Sequence, residues 1–236
     1  MKQFTRILFA FALIVSGFAA QAQTLDEIVT KHVAAIGGAD NWKKISSIRM
    51  EGTMSVQGTD IAVSMTVVAG KGFRQDISVM GMNGFQIVTP TEGWNFMPFQ
   101  GQAEMESMTA EDVKESQDEL DPSGVLVDYK AKGKTVTLEG KDDVDGTECF
   151  KLTVTSKSGK SKTLFIDPKS WFIIKAIEKV KANGQEMEQA INYSDYKMQA
   201  EGVVLPFSMT LPFGELILTK IELNKTIDEA IFKPAK

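Results

Sequence analysis

The chain has 236 residues, 43% of them hydrophobic and 24% charged, with a formal net charge of −5. Such a length and composition suit one domain of the larger all-β kind, with enough apolar side chain for a real core. The acidic balance argues against nucleic acid or an anionic membrane surface as the main partner, since both reward basic patches.

Residues 1–22 read as an export signal. Lys2 and Arg6 form a positive n-region, Ile7 to Val15 an apolar h-region, and Ala20-Gln21-Ala22 an A-x-A cleavage site. The apolar run falls short of the roughly 20 residues a spanning helix needs. The expectation is therefore a periplasmic protein that starts at Gln23, with 23–236 as a single domain.

Thr24 caps a first helix with Asp26 and Glu27 in its first turn, where the helix dipole favours negative charge. Ile28, Val29, Val33 and Ile36 recur at helical spacing, and Gly37-Gly38 stops the helix. A short helical piece, Ala39 to Ile45, carries Trp42 toward the same core. His32, the single histidine, is expected at the surface or boundary.

From Ser46 the pattern becomes β. Ile48, Met50, Met54 and Val56 alternate with polar residues up to a turn at Gly58-Thr59-Asp60. Ile61, Val63, Met65 and Val67 follow on one face, then Phe73, Ile77 and Val79, then Phe85, Ile87, Trp94 and Phe96. These strands predict an apolar wall that a thin ribbon cannot hide. At Thr109 the period changes: Thr109 caps a helix to about Leu120, Asp112 returns a bond to it, and Met108 and Val113 form a staple. The helix is mostly polar, so Val113 and Leu120, joined by Met105 and Met108, hold it weakly. That is the behaviour of a lid.

After Val125-Leu126-Val127 the β pattern resumes, with strands predicted over 135–139, 148–156, 162–167, 172–181, 187–196, 203–210 and 216–223. Turns fall at Asp145-Gly146, Ser158-Gly159, Asp167-Pro168, Asn183-Gly184 and Glu201-Gly202. Short, regularly spaced strands with few helices imply a mainly β fold in which an antiparallel sheet curls. Residues 225–236 form a polar tail anchored by Ile231-Phe232.

Catalytic chemistry is hard to assemble. One histidine and one cysteine, Cys149, give neither a zinc site nor a supported triad, and no phosphate-binding Gly-rich loop occurs. Asp142-Asp143-Val144-Asp145-Gly146 lacks the spacing of a calcium loop and reads as an acidic turn. A lone cysteine in an alternating strand reads as a quiet thiol. The expectation is no enzyme, no cofactor and no metal. What the chain does have is softness: of 12 methionines, Met50, Met54, Met65, Met80, Met82, Met97, Met105 and Met108 fall on or beside the apolar wall. Unbranched thioethers suit a surface that accepts several shapes, though they also fill ordinary cores.

Several segments, in order, resemble the outer-membrane lipoprotein-sorting family of LolA-like periplasmic carriers. They are Gly37-Gly38-Ala39 with Trp42 before Ser47-Ile48-Arg49; Gly72-Phe73-Arg74; Gly93-Trp94; Met97-Pro98-Phe99-Gln100-Gly101; Leu126-Val127-Asp128-Tyr129; Leu164-Phe165-Ile166-Asp167-Pro168; and Tyr193-Ser194-Asp195-Tyr196 with Gly202-Val203-Val204-Leu205-Pro206-Phe207. The resemblance spans nearly all of the chain after the signal. It implies a strongly curved antiparallel sheet, a half-open β-barrel, with helices covering the concave face. It further implies a hollow for the acyl chains of a lipoprotein or lipid in transit toward the outer membrane. Partners would be an inner-membrane loading complex and an outer-membrane acceptor, and the carrier would be a monomer.

On this reading the hollow is lined by Ile61, Val63, Met65, Phe73, Ile77, Phe85, Trp94 and Phe96, with Met108, Val113 and Leu120 on the lid. Arg49 and Arg74 are both candidates for a polar contact with the cargo. The rival reading is a periplasmic protein-interaction module that uses the apolar sheet face or a sheet edge.

Overall fold

A computed structural model describes residues 23–182 and 185–234. The expected export signal and the expected Asn183-Gly184 turn lie outside them. Thirteen strands form one antiparallel sheet: β1 (Ser47–Val56), β2 (Thr59–Val68), β3 (Gly72–Val79), β4 (Met82–Val88), β5 (Gly93–Phe96), β6 (Glu106–Ser107), β7 (Thr135–Val144), β8 (Thr147–Thr155), β9 (Ser161–Ile166), β10 (Ile173–Ala182), β11 (Gln185–Met198), β12 (Val204–Leu211) and β13 (Gly214–Leu223).

Their order is β6-β5-β4-β3-β2-β1-β13-β12-β11-β10-β9-β8-β7. The chain starts at the centre, steps outward hairpin by hairpin to the β6 edge, and crosses to the β7 edge. From there it steps back to the centre. Two-residue turns make several of these hairpins. Gln57-Gly58, Met80-Gly81 and Asp145-Gly146 all have both residues at positive φ, the type I′ geometry that matches strand twist.

Cross-strand partners share a face, so the registers sort the side chains. One row runs through Met54, Ile61, Leu216 and Met209, a second through Val63, Ile77 and Leu218, and a third through Met50, Met65 and Ile221. A fourth contains Ile48, Val67, Phe73, Val88 and Leu223. Side chains from β4 and β5 line the same cavity as side chains from β9 and β10, so the sheet curls toward this face.

The inner face receives the helices. In α1 (Leu25–Ala35), Thr24 and Glu27 form a reciprocal capping box. The α1 residues Ile28 and Val29 pack with Leu126, Phe150, Leu152, Leu164 and Ile166. Gly37 and Gly38, both at positive φ, turn the chain into α2 (Ala39–Trp42). At Gly37 a Cβ would run into the Gly202 carbonyl, so the close approach also requires glycine. Trp42 is buried with Ile36, Ile48, Val127 and Val203, and its Nε1–H donates to the Ile36 carbonyl at 2.9 Å.

His32 departs from its expected boundary position. It is buried, and its Nδ1–H donates to the Trp171 carbonyl at 2.8 Å. Desolvation there lowers its pKa, so it serves as a neutral tie between α1 and the β9–β10 connection.

The crossing from β6 to β7 passes over the inner face. Thr109 caps α3 (Ala110–Glu115) and accepts from the Asp112 N–H, as the spacing predicts. The expected single helix to Leu120 instead tightens into a 3₁₀ turn at Ser116–Leu120. On the outer face, Cys149 is buried with Val144 and Phe165, and burial pushes its thiol up to about 11. Phe232 anchors the C-terminal tail over Gly72, where a Cβ would meet its ring.

Candidate functional site: the inner hollow and its lid

The four rows do not end alike. The last is sealed: Val67, Phe73, Val88 and Leu120 are buried together, with Met108 against them. Nearer the other end of the strands, only Val63, Leu216 and Leu218 are buried. Met50, Met54, Ile61, Met65, Phe207, Met209, Leu211 and Ile221 pack around them and stay half-exposed. Ile77 is half-exposed beside Val63. Half-exposed apolar side chains on a concave surface are what a guest can still cover.

The 108–121 segment, expected as a lid, lies across the bottom of this hollow. The Gly70 N–H donates to the Leu120 carbonyl at 3.0 Å, and the Met108 N–H to the Gly93 carbonyl at 2.8 Å. The side chain of Gln117 donates to the Thr89 carbonyl at 3.2 Å. Asp118 pairs with buried Lys134 at 3.1 Å, and Asp121 with Lys132. Val113 and Leu120 are buried, whereas Met105 points to solvent.

Beneath the lid lies an open cavity of about 830 Å³, within the size range of small-molecule sites. Its lining is more polar than the predicted oily space. Gln86 and Asn95 face Asp112, Glu115 and Glu119 of the lid segment, with Lys160, Glu178, Lys179 and Glu188 beyond them. Gln86 pairs with Gln75, and Gln75 with Met65, so this polar chamber adjoins the apolar rows directly. A smaller space of about 180 Å³ lies among Val125, Leu164, Ile173, Ala176, Tyr193 and Tyr196. The Tyr196 hydroxyl donates to the Ile173 carbonyl at 2.5 Å, and burial raises the pKa of both tyrosines.

Glu119 is the unusual group in this region. Its Oε2 is buried without a hydrogen-bond partner. Burial, opposed by Lys160 and Lys162 and assisted by Glu178 and Asp118, pushes its pKa from 4.5 up to about 7. Among the described residues, no group of three or more His, Cys, Asp or Glu side chains is placed to hold a metal ion.

The registers bring Ile61, Val63, Met65, Phe73 and Ile77 onto the inner face and send Phe85, Trp94 and Phe96 to the outer one. There Phe85 and Phe96 meet in a tilted pair with ring centroids 5.9 Å apart, and Trp94 shares a depression with Phe232. Both arginines also lie outside the hollow. Arg49 pairs with Glu51 at 3.0 Å. Arg74 donates to both Asp76 carboxylate oxygens and to the Ile231 carbonyl at 2.8 Å, which pins the C-terminal tail.

The sequence reading missed the C-terminal half of the hollow: Phe207, Met209, Leu211, Leu216 and Leu218. Their period-two alternation was available. The pairing of β1 with β13, which brings them beside Met50 and Met54, was not.

No protein-family model matches this chain, and no curated protein sequence matches it. Solved structures do. A LolA superfamily protein from Nitrosomonas europaea is similar over 90% of this chain and 99% of its own, with a TM-score of 0.56 and 11% identity. A DUF1329 family protein from Desulfovibrio piger covers 90% and 98%, at a TM-score of 0.55 and 13% identity. An outer membrane lipoprotein-sorting protein domain from Vibrio parahaemolyticus covers 87% and 94%, at 0.50 and 14%.

Proposed function

From a LolA-like fold whose inner face keeps a half-exposed apolar strip, we propose that this protein is a periplasmic carrier. It would bind the acyl chains of lipoproteins or lipids in its hollow and take them toward the outer membrane. The observation that carries this reading is the exposure of Met50, Met54, Ile61, Met65, Met209 and Leu211 on the concave side, where a stable core would be closed. Each methylene taken out of water contributes about 0.8 kcal/mol, so one acyl chain along these rows is held firmly. The neighbouring chamber, with Gln86, Asn95 and the lid carboxylates, suits the polar end of the same molecule. The guest is therefore amphiphilic, and its headgroup belongs beneath α3.

The alternative module, docking a partner along a sheet edge, is less well supported. The β6 edge is two residues long. The β7 edge is bulged after Leu138 and carries Lys141, Asp142 and Asp143, a combination that blunts edge pairing. The carrier reading predicts that protein purified without detergent arrives with extractable lipid in roughly stoichiometric amount. Native mass spectrometry giving only the bare polypeptide mass would count against it.

A further inference from the structure

The hairpin tips β1–β2, β3–β4 and β12–β13 lie at one end of the sheet, since Ser55 pairs with both Asp60 and Glu215, and Ala62 with Ser78. The β5–β6 connection and the start of β11 reach the same end. This rim is unexpectedly apolar. Met80 is 83% exposed, Phe213 52% and Met187 53%, and Met82 and Met105 are exposed beside them. Ile217 is exposed on the outer face just below Phe213, and among the exposed large apolar side chains of the described residues only Met198 lies at the opposite end.

Met80 is the telling residue. It occupies the first position of a type I′ turn at φ 50, where asparagine or aspartate is favoured and an unbranched hydrophobe is strained. The equivalent position of the β7–β8 hairpin holds Asp145 at φ 49. At 83% exposed, Met80 gains little packing to offset its cost to the turn.

We propose that this rim docks on a charge-neutral lipid surface, with Met80, Met82 and Phe213 inserting among the headgroups. The proposal rests on the carrier reading and names where the amphiphile enters. Met82 pairs with Val79 on the inner face, at the open end of the rows that contain Ile61 and Met54. An acyl chain can thus pass from the lipid surface into the hollow without its tail crossing water.

A fluid surface fits these residues better than a protein partner. Exposed apolar side chains spread over several tips, with Met80 and Met82 sharing one, suit a surface that deforms around each of them better than the one contiguous patch a specific protein interface buries. The net charge of −5, more negative once Lys2 and Arg6 are removed, disfavours an anionic surface.

The test is flotation of the chain starting at Gln23 with phosphatidylcholine vesicles, comparing wild type with Met80→Asn and with Met80→Asn/Phe213→Ser. Wild type floats, and the double variant loses at least tenfold in partitioning. Met80→Asn melts no lower than wild type, because asparagine suits the turn, so loss of flotation is not loss of fold. Uptake of a fluorescent fatty acid is measured in parallel and is unchanged in both variants. Failure of wild type to float, equal flotation of the double variant, or tighter binding to anionic phosphatidylglycerol vesicles each overturns docking. Flotation without fatty-acid uptake overturns the carrier reading and leaves the rim standing.

Discussion

Glu119 shows how one side chain can set the pH response of the lid. Its Oε2 is buried and unpartnered, and burial raises its pKa from 4.5 to about 7 despite Lys160 and Lys162. Between those values the folded chain keeps a proton that the unfolded chain has lost. Stability therefore falls as pH rises through that window and levels off above it. Replacing Glu119 with Gln removes the titration, for a difference of about 3 kcal/mol at most at pH 8. Urea unfolding of both proteins at pH 5 and pH 8 checks this: the variant gains on wild type as pH rises. Parallel pH profiles would mean that the carboxylate already finds water or a lysine. Lys179 and Glu188 also line the chamber, and Asp112 and Glu115 share the lid segment, so the sign rests on burial outweighing all of them.

At the level of elements, the 110–120 segment is expected to open as a unit of its own. Leu120 is its apolar anchor in the cluster of Val67, Phe73 and Val88, and few other buried side chains hold the 110–120 segment. Truncating Leu120 to Ala removes about 2–4 kcal/mol of packing. The expected effect is local: amides from Met108 to Leu120 and the Gly70 amide exchange at least tenfold faster, while β8 and β9 keep their protection. Uniform acceleration across the sheet would show that lid and barrel unfold together. Much of this scale was legible in the sequence, including the Thr109 cap, the Thr24 cap, the Gly37-Gly38 stop and most of the strands. The face of β4 and β5 was assigned the wrong way round, with Phe85, Trp94 and Phe96 turned into the hollow, for a specific reason. A two-residue turn pairs odd positions with even ones, so Ile77 lies across from Gly84, and Phe85 and Ile87 turn outward with Arg74. From β2 to β3 the longer turn keeps parity, and Val67 meets Phe73. Turn length at Met80-Gly81, rather than hydrophobicity, decided which aromatics could reach the hollow.

For the whole molecule, the question is whether the inner rows are core or binding surface. The two differ in what a charge does to them. Ile61 is half-exposed, across from Met54 near the open rim. A glutamate there can keep its carboxylate in water when the hollow is empty, so the fold survives with a modest loss. A guest that covers the row must bury that carboxylate, and burying an unpaired charge is far costlier than losing one methylene contact. Wild type should therefore melt higher in the presence of a lysophospholipid below its micellar concentration. A ligand at one hundred times its Kd adds about 2.7 kcal/mol to a fold that binds it only when folded. Ile61→Glu should melt within a few degrees of wild type without lipid and show little of that rise, while Met80→Asn, at the rim, should keep it. If Ile61→Glu instead unfolds the empty protein as severely as a charge at buried Val63 would, the row is ordinary core and the hollow has no need of a passenger.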